Sequence, residues 1–304
     1  MIRIAVVADD LTGGCDSSLP FLAAGPVLVG LWPNVPAGDA ACAAVSTETR
    51  SEPILAGTRG RLAAKRLRGD LLYRKLDSML RGSPVADLES ARAVVRGRCL
   101  VAPALPGEGR TTVDGVQRWP GGQVDLRVLL APLVVDGYVE LRDAETDADL
   151  DRVAADVLAH GDRVAAGSAG LAAALGRALG LGPPPTAPPQ GCARPLAVVG
   201  SRAAAAQAAY AAGRGWPVQV LGPGEEPELG DHDGLVLTGG ETAADVLGAA
   251  GAEALELLGE ALPRTPLARV RGGRLDGLPV VLKAGAFGPD DAIERALEVL
   301  GAKR

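Results

Sequence analysis

The chain has 304 residues, 47% hydrophobic and 22% charged. That balance excludes a disordered chain and gives room for two ordinary domains. Aromatics are only 3%, so the core must be Ala, Val and Leu, which suits helices packed on sheets, and a net charge of -6 without a Lys/Arg block argues against a nucleic-acid binder. Ile2–Ala8 reads as a strand, followed by a turn at Asp10–Gly14 and a helix over Asp16–Ala24. Val27–Leu31 is the next strand. A helix over Ile54–Arg68, a strand over Leu71–Leu76 and a helix over Pro84–Val95 follow, with proline suited to the first helical turn. Cys99–Ala102 is another buried strand. Arg118–Leu141 shows no clean period. Asp147–Ala159 is a helix capped by Thr146 or Asp147, Val164–Gly167 a strand, and Ser168–Leu179 a helix.

The clearest break is Gly180–Gly191, whose five prolines favour extended backbone and exclude a helix or sheet interior. It predicts residues 1–181 as one domain, 182–192 as a linker and 193–304 as a second domain. Beyond it, strands are expected at Leu196–Val199, Val218–Leu221, Leu235–Leu237 and Val280–Leu282. Helices are expected at Arg202–Ala212, Thr242–Ala250 and Pro289–Leu300. The fold class is α/β: two domains, each a mostly parallel sheet flanked by helices, with the active site in the cleft between them. Cys15, Cys42, Cys99 and Cys192 form no C-x-x-C pair, and His160 and His232 are the two histidines. Buried free thiols are expected, not a zinc site or a disulfide framework. The N-terminus turns acidic too early for a signal peptide, and no apolar stretch is long enough to span a bilayer, so the expected location is cytoplasmic.

Ligands in open α/β sheets gather where strands end, and the strand-end loops here are unusually polar. Asp9-Asp10-Leu-Thr-Gly-Gly-Cys-Asp16 places adjacent carboxylates that need a cation, a hydroxylated ligand or a helix N-terminus beside them. A plain helix cap by Asp10 or Thr12 is the equal alternative. In Lys75-Leu-Asp77-Ser78-Met-Leu-Arg81-Gly, Arg81 suits a carboxylate clamp, or pairs structurally with Asp77. Gly107 and Gly109 free the backbone near Arg110 and Thr111, although a simple turn would look the same. Gly167-Ser-Ala-Gly170 reads as a helix cap or close packing, with packing at a domain interface preferred. In the second half, Gly200-Ser201, Thr238-Gly239-Gly240-Glu241-Thr242 and Lys283-Ala-Gly285-Ala-Phe287-Gly288 expose backbone N–H groups at helix starts. Three such loops together point to a polyphosphate such as a nucleotide. The P-loop, the dinucleotide fingerprint and the protein-kinase signatures are absent.

These loops, in this order, resemble the four-carbon acid sugar kinase family. The match also covers Asp143-Ala-Glu-Thr-Asp-x-Asp-Leu and runs nearly end to end. The resemblance implies an ATP-dependent kinase acting on threonate, erythronate or 3-oxo-tetronate, with the acid held by the first domain and ATP by the second. It implies that Asp9, Asp10, Lys75, Asp77, Arg81 and Arg110 line the acid side, to which the motifs add Asp16, Ser78 and Thr111. Ser201, Gly239, Gly240, Glu241, Thr242 and Gly285 would contact ATP, with Lys283 and Gly288 in the same loop. Cys15 stands where the family has asparagine, Met79 where it has threonine, and the chain is shorter than its relatives.

The expected chemistry is direct transfer of the γ-phosphoryl group to a terminal hydroxyl, with Mg²⁺ on the phosphates and no identified protein ligand for it. Asp10 or Asp77 would take the proton, Arg81 or Arg110 would hold the carboxylate, and Lys75 would offset phosphoryl charge. A catalytically inactive ligand-binding or regulatory homologue is the alternative. A nicotinamide oxidoreductase is a third reading, disfavoured by the missing fingerprint. The partners are a small acid and ATP, with no nucleic acid or membrane, and a homodimer is left open.

Overall fold

The computed structural model describes residues 2–37, 40–67, 69–161, 163–222, 224–285 and 287–301. In the first half the short apolar runs become strands with almost no exposed surface: β1 (Ile4–Ala8), β2 (Val27–Leu31), β3 (Cys42–Ser46), β4 (Leu71–Lys75) and β5 (Cys99–Ala102). A small antiparallel sheet of β6 (Thr111–Val113), β7 (Val116–Trp119) and β8 (Gly122–Asp125) follows. The chain then rejoins the main sheet through β9 (Val139–Leu141) and β10 (Val164–Gly167). The connecting helices are α1 (Leu11–Ser18), α2 (Ala56–Arg66), α3 (Pro84–Arg92), the short α4 (Leu126–Leu129) and α5 (Ala131–Val135), α6 (Asp147–Ala159) and α7 (Ala169–Ala178). The second half adds β11 (Pro195–Val199), α8 (Ala205–Gly213), β12 (Val218–Val220), β13 (Gly234–Thr238), α9 (Gly240–Ala249), β14 (Ala254–Leu262), β15 (Thr265–Arg271), β16 (Pro279–Lys283) and α10 (Ala292–Leu300).

Each half is a mostly parallel sheet flanked by helices, as the sequence predicts. The order β2-β3-β1-β4-β10-β5-β9 is parallel throughout. In the second half β12-β11-β13-β16 is parallel, and the hairpin β14–β15 continues it antiparallel. The two sheets do not stand apart. β14 pairs with β2, Leu255 opposite Val29, so thirteen strands form one sheet. On one face a single hydrophobic cluster runs from Ile4 and Leu71 to Val198 and Leu282, across both halves. Strand order reverses at β1 in the first half and between β11 and β13 in the second. The carboxyl ends at such reversals are where open α/β sheets form crevices.

The structure corrects several local expectations. Asp10–Gly14 is not a turn before a helix; the helix α1 already starts at Leu11, because the Asp10 side chain accepts from the Gly13 N–H and caps it. Leu19–Ala24 then continues as a 3₁₀ segment. The helix placed over Ile54–Arg68 is a 3₁₀ turn at Pro53–Leu55 followed by α2, and Arg68 lies outside the described residues, as does Ala286 of the last glycine loop. Of the two readings of Gly167–Gly170, the helix cap holds: Ser168 is an N-cap, accepting from Gly170 N–H, and it is also buried. β3, β14 and β15 carry no expectation from the sequence.

Gly180–Gly191 has no regular structure, yet it is anchored. Ala187 N–H donates to Glu260 C=O (2.9 Å), and Glu260 N–H donates to Pro185 C=O (2.8 Å). Gly259 permits this approach, since a Cβ there would lie 2.7 Å from the Pro185 oxygen. All four cysteines are free and buried, as expected. No described helix is long and apolar enough to cross a membrane.

Candidate active site

The carboxyl ends of β1, β3, β4, β5 and β10 and those of β11, β13 and β16 open onto one cleft of about 520 Å³. Asp9 and Asp10 enter it directly after β1. Between them and Asp77 stands Arg50, from the loop after β3. Its Nε and Nη2 donate to the two Asp9 oxygens (2.8 and 2.7 Å), its Nη1 pairs with Asp10 Oδ2 (2.8 Å), and Nη2 lies 3.7 Å from Asp77 Oδ1. One guanidinium therefore keeps three carboxylates together in a site that shields them from water. Thr12 Oγ1 donates to Asp10 Oδ2 at 2.8 Å.

Asp77 forms a fork-to-fork pair with Arg81 (2.9 and 2.7 Å) and accepts the Met79 N–H at 3.0 Å. Burial alone would raise its carboxyl. The Arg81 hydrogen bonds and the charges of Arg50, Arg81 and Lys75 outweigh that and hold it well below the usual carboxylate range. Asp77 is thus a firm anion and a weak base. Burial, reinforced by Arg50, lowers the Lys75 ammonium despite Asp10, Asp9 and Asp77; its Nζ donates to Leu76 C=O at 2.8 Å. Arg110 donates to Ser78 Oγ and stacks on Phe287, 4.9 Å from the ring centre.

Glu48 is an unexpected member of this wall. It sits in the left-handed region at φ 48°, accepts from Ser46 Oγ and lines the cleft. Burial pushes its carboxyl up to about 8 against the Ser46 hydrogen bond, and Asp10 and Asp9 push the same way.

The opposite wall is glycine. Gly239 (φ 94°) follows β13, and α9 starts at Gly240. A Cβ on Gly239 would lie 3.6 Å from Ser201 Cβ, and one on Gly285 would lie 3.6 Å from Ser201 Oγ, so the three loops meet around the α9 N-terminus. A Cβ on Gly240 would overlap the Asp10 carboxylate and come within 3.0 Å of Thr12 Oγ1. Asp10, from the first half, therefore abuts the helix start of the second. From this wall a further cavity of about 540 Å³ leads away, sharing Gly200, Glu241 and Thr242 and continuing past Leu221, Leu229 and Val246.

Of the residues expected from sequence, Asp9, Asp10, Asp16, Lys75, Asp77, Ser78, Arg81, Arg110, Ser201, Gly239, Gly240, Glu241, Thr242 and Gly285 line the cleft. Thr111, Lys283 and Gly288 do not. Thr111 pairs with Arg118 in the small sheet. Lys283 is buried beneath its loop, donating to Gly285 C=O at 2.7 Å, and burial brings it down to about 8 against the pull of Glu108. Gly288 C=O accepts from Gln207 Nε2 at 3.0 Å. Arg50, Glu48, Arg264 and Phe287 line the cleft without having been singled out. For Arg50 and Glu48 the available signal was the polar block Ser46-Thr-Glu-Thr-Arg50 closing an apolar run. Among the described residues no three His, Cys, Asp or Glu side chains are grouped to hold a metal.

Comparison with known proteins matches each half to a separate domain family. The family of sugar-binding N-terminal domains matches residues 4–130, and that of nucleotide-binding C-terminal domains matches residues 228–293. A D-threonate kinase of Cupriavidus necator is 30% identical over 98% of this chain and 98% of its own length. The chain belongs to the four-carbon acid sugar kinase family. A D-threonate kinase of Bordetella bronchiseptica is 28% identical over 99% of this chain and 98% of its own length. That alignment runs over 404 positions, so the relative carries segments that this family member lacks. A Bordetella bronchiseptica domain of unknown function, a domain-swapped dimer with bound citrate, shares 29% identity at a TM-score of 0.52, covering 98% of each chain. A Salmonella typhimurium protein described as a putative tRNA synthase has the same fold, with a TM-score of 0.74 at 18% identity over 97% of this chain and 98% of its own.

Proposed function

We propose that this protein transfers the γ-phosphoryl group of ATP to a terminal hydroxyl of a four-carbon sugar acid of the threonate, erythronate or 3-oxo-tetronate type. The observation that carries the reading is the abutment of Asp10 and the α9 N-terminus. A proton acceptor and a ready-made phosphate cradle face each other within one cleft. Residues 1–181 hold the acid and residues 193–304 hold the nucleotide, whose phosphates lie on the Ser201, Gly239–Thr242 and Gly285 loops. The nucleoside extends into the cavity past Leu221 and Val246.

The acceptor oxygen attacks the γ-phosphorus, the new O–P bond forms as the bond to the ADP oxygen breaks, and the hydroxyl proton passes to Asp10. Asp10, which abuts the α9 start, suits this role better than Asp77, both of whose oxygens are taken by the Arg81 fork and whose carboxyl is a weak base. Asp9, Asp16 and Ser78 offer partners to the hydroxyls, while Arg110 and Arg81 meet the carboxylate. Arg50 holds the acidic cluster in place, and Lys75 faces the transferring group. The transition state is loose, so positioning and charge do most of the work. Mg²⁺ would fit as a phosphate-bound ion, with Asp10 and Glu241 as carboxylates beside the phosphate loops, since this ion keeps several waters and needs few protein ligands; it would neutralise phosphate charge.

A coupled ADP assay over threonate, erythronate and their oxo forms tests the proposal. Asp10→Asn should lower kcat by about 10²–10⁴-fold with ATP affinity retained by calorimetry. Binding of an acid without ADP formation from any of them would overturn the catalytic reading in favour of a ligand-binding protein. The citrate-bound Bordetella structure is a domain-swapped dimer, and the same exchange is open to this chain, because Gly180–Gly191 connects the halves covalently and the β2–β14 pairing between them could form across two copies. Light scattering would show a dimer whose mass is halved by variants that break that pairing.

A further inference from the structure

Behind the acid side of the cleft lies a hollow of about 400 Å³ that the phosphotransfer reading leaves unused. Leu19, Pro20, Ala173 and Leu181 give it apolar walls, Asp147, Arg177 and Glu260 give it polar ones, and the proline-rich segment closes it in part. Four residues line both spaces: Asp16, Leu105, Ala169 and Arg264. A single layer of side chains therefore divides them, and its polar part is an ion pair, with Arg264 Nη2 donating to Asp16 Oδ2 at 2.6 Å.

Arg264 is placed there at a cost. It occupies the tight β14–β15 turn in the left-handed region (φ 59°), its N–H held by Glu260 Oε1 at 2.5 Å. Its guanidinium stacks on Phe287, 5.2 Å from the ring centre. Nε and Nη1 are buried with no hydrogen-bond partner, the Glu108 carboxylate lying 3.8 Å from Nη1. An apolar side chain of similar volume would fill this spot without stranding two donors. What the arginine adds is a polar partition, fastened to the first half through Asp16 and to the nucleotide loop through Phe287.

We propose that the Asp16–Arg264 pair is the end wall of the acid pocket and sets the length of acid that the cleft accepts. The proposal rests on the kinase reading of the cleft. With the wall in place, a longer acid meets a charged pair it would have to break. With the wall removed, its extra hydroxylated carbons gain the hollow.

The test compares D-threonate with the six-carbon D-gluconate by coupled ADP assay. Arg264→Ala should raise the gluconate-to-threonate ratio of kcat/KM by at least tenfold. Asp16→Ala should move it the same way. Adding Ala173→Leu to Arg264→Ala refills the hollow from a wall that does not touch the cleft, and should return the ratio toward wild type. A ratio within twofold of wild type in both folded single variants overturns the proposal, whether or not overall activity falls. Calorimetric affinities for the two acids give the same ratio without turnover, so a failed wall and a failed kinase reading are told apart. A wild-type protein that binds neither acid overturns both.

Discussion

Arg50 is the residue on which the acidic side of the cleft depends. Removing it leaves Asp9 and Asp10 buried without their cation, a situation that costs roughly 3–5 kcal/mol in folded proteins. Arg50→Ala should therefore lower the urea unfolding free energy by about that amount and abolish most ADP formation. Arg50→Lys restores charge but not the two-pronged contact with Asp9, and should recover stability better than kcat/KM. Glu48 gives a pH signature. Its carboxyl holds its proton to about 8 in the folded chain, against 4.5 ordinarily. The unfolded chain loses that proton first, so the stability from this group is complete below pH 4.5 and declines as pH rises through 8. Glu48→Gln should match wild type near pH 5 and exceed it at pH 8 by roughly 2–4 kcal/mol, discounted for partial exposure, read from urea midpoints across that range. A flat difference would mean Glu48 ionises normally.

At the scale of elements, the decisive junction is the start of α1 against the start of α9. Gly240→Ala adds one methyl group where the Asp10 carboxylate already sits. The helix itself gains from alanine, so a loss of about 1–3 kcal/mol together with a raised KM for ATP would isolate the clash between halves. The sequence made much of this region legible. Ile4–Ala8, Val27–Leu31, Cys99–Ala102 and Val164–Gly167 are short apolar runs ended by polar loops, the pattern of strands buried on both faces. Asp147–Ala159 carries its own start signal in the Thr146–Asp149 capping box. The loops of Asp9, Asp77, Arg110, Ser201 and Gly239 could be assembled because each followed such a run. β3 escaped notice, since Cys42-Ala-Ala-Val-Ser is small-residued and short, and Arg50 escaped with it. The hairpin β14–β15 was hidden for a different reason. Glycine and proline interrupt its pattern at Gly259, Pro263 and Pro266, and its register shifts twice, so Arg264 had no visible frame. The buried Lys283 looked like a ligand from sequence because it opens a glycine loop at a strand end; only the tertiary structure shows it bracing a loop carbonyl.

For the whole molecule, the continuous sheet and the cluster spanning Ile4 to Leu282 bind the two halves into one unfolding unit. Trp216 is buried in the second half, and as the sole tryptophan in a Trp32→Phe/Trp119→Phe variant it reports on that half alone. Its fluorescence and far-ultraviolet circular dichroism should give coincident urea midpoints; separated transitions would show the halves melting independently. The seam that unites them has one more consequence. Were the gene cut within the proline run, the first fragment would bare the backbone of β2 and the second that of β14, each a row of amide groups shaped for the other. Produced together, the fragments should complement one another and regain a working enzyme, whereas either produced alone should be prone to aggregate.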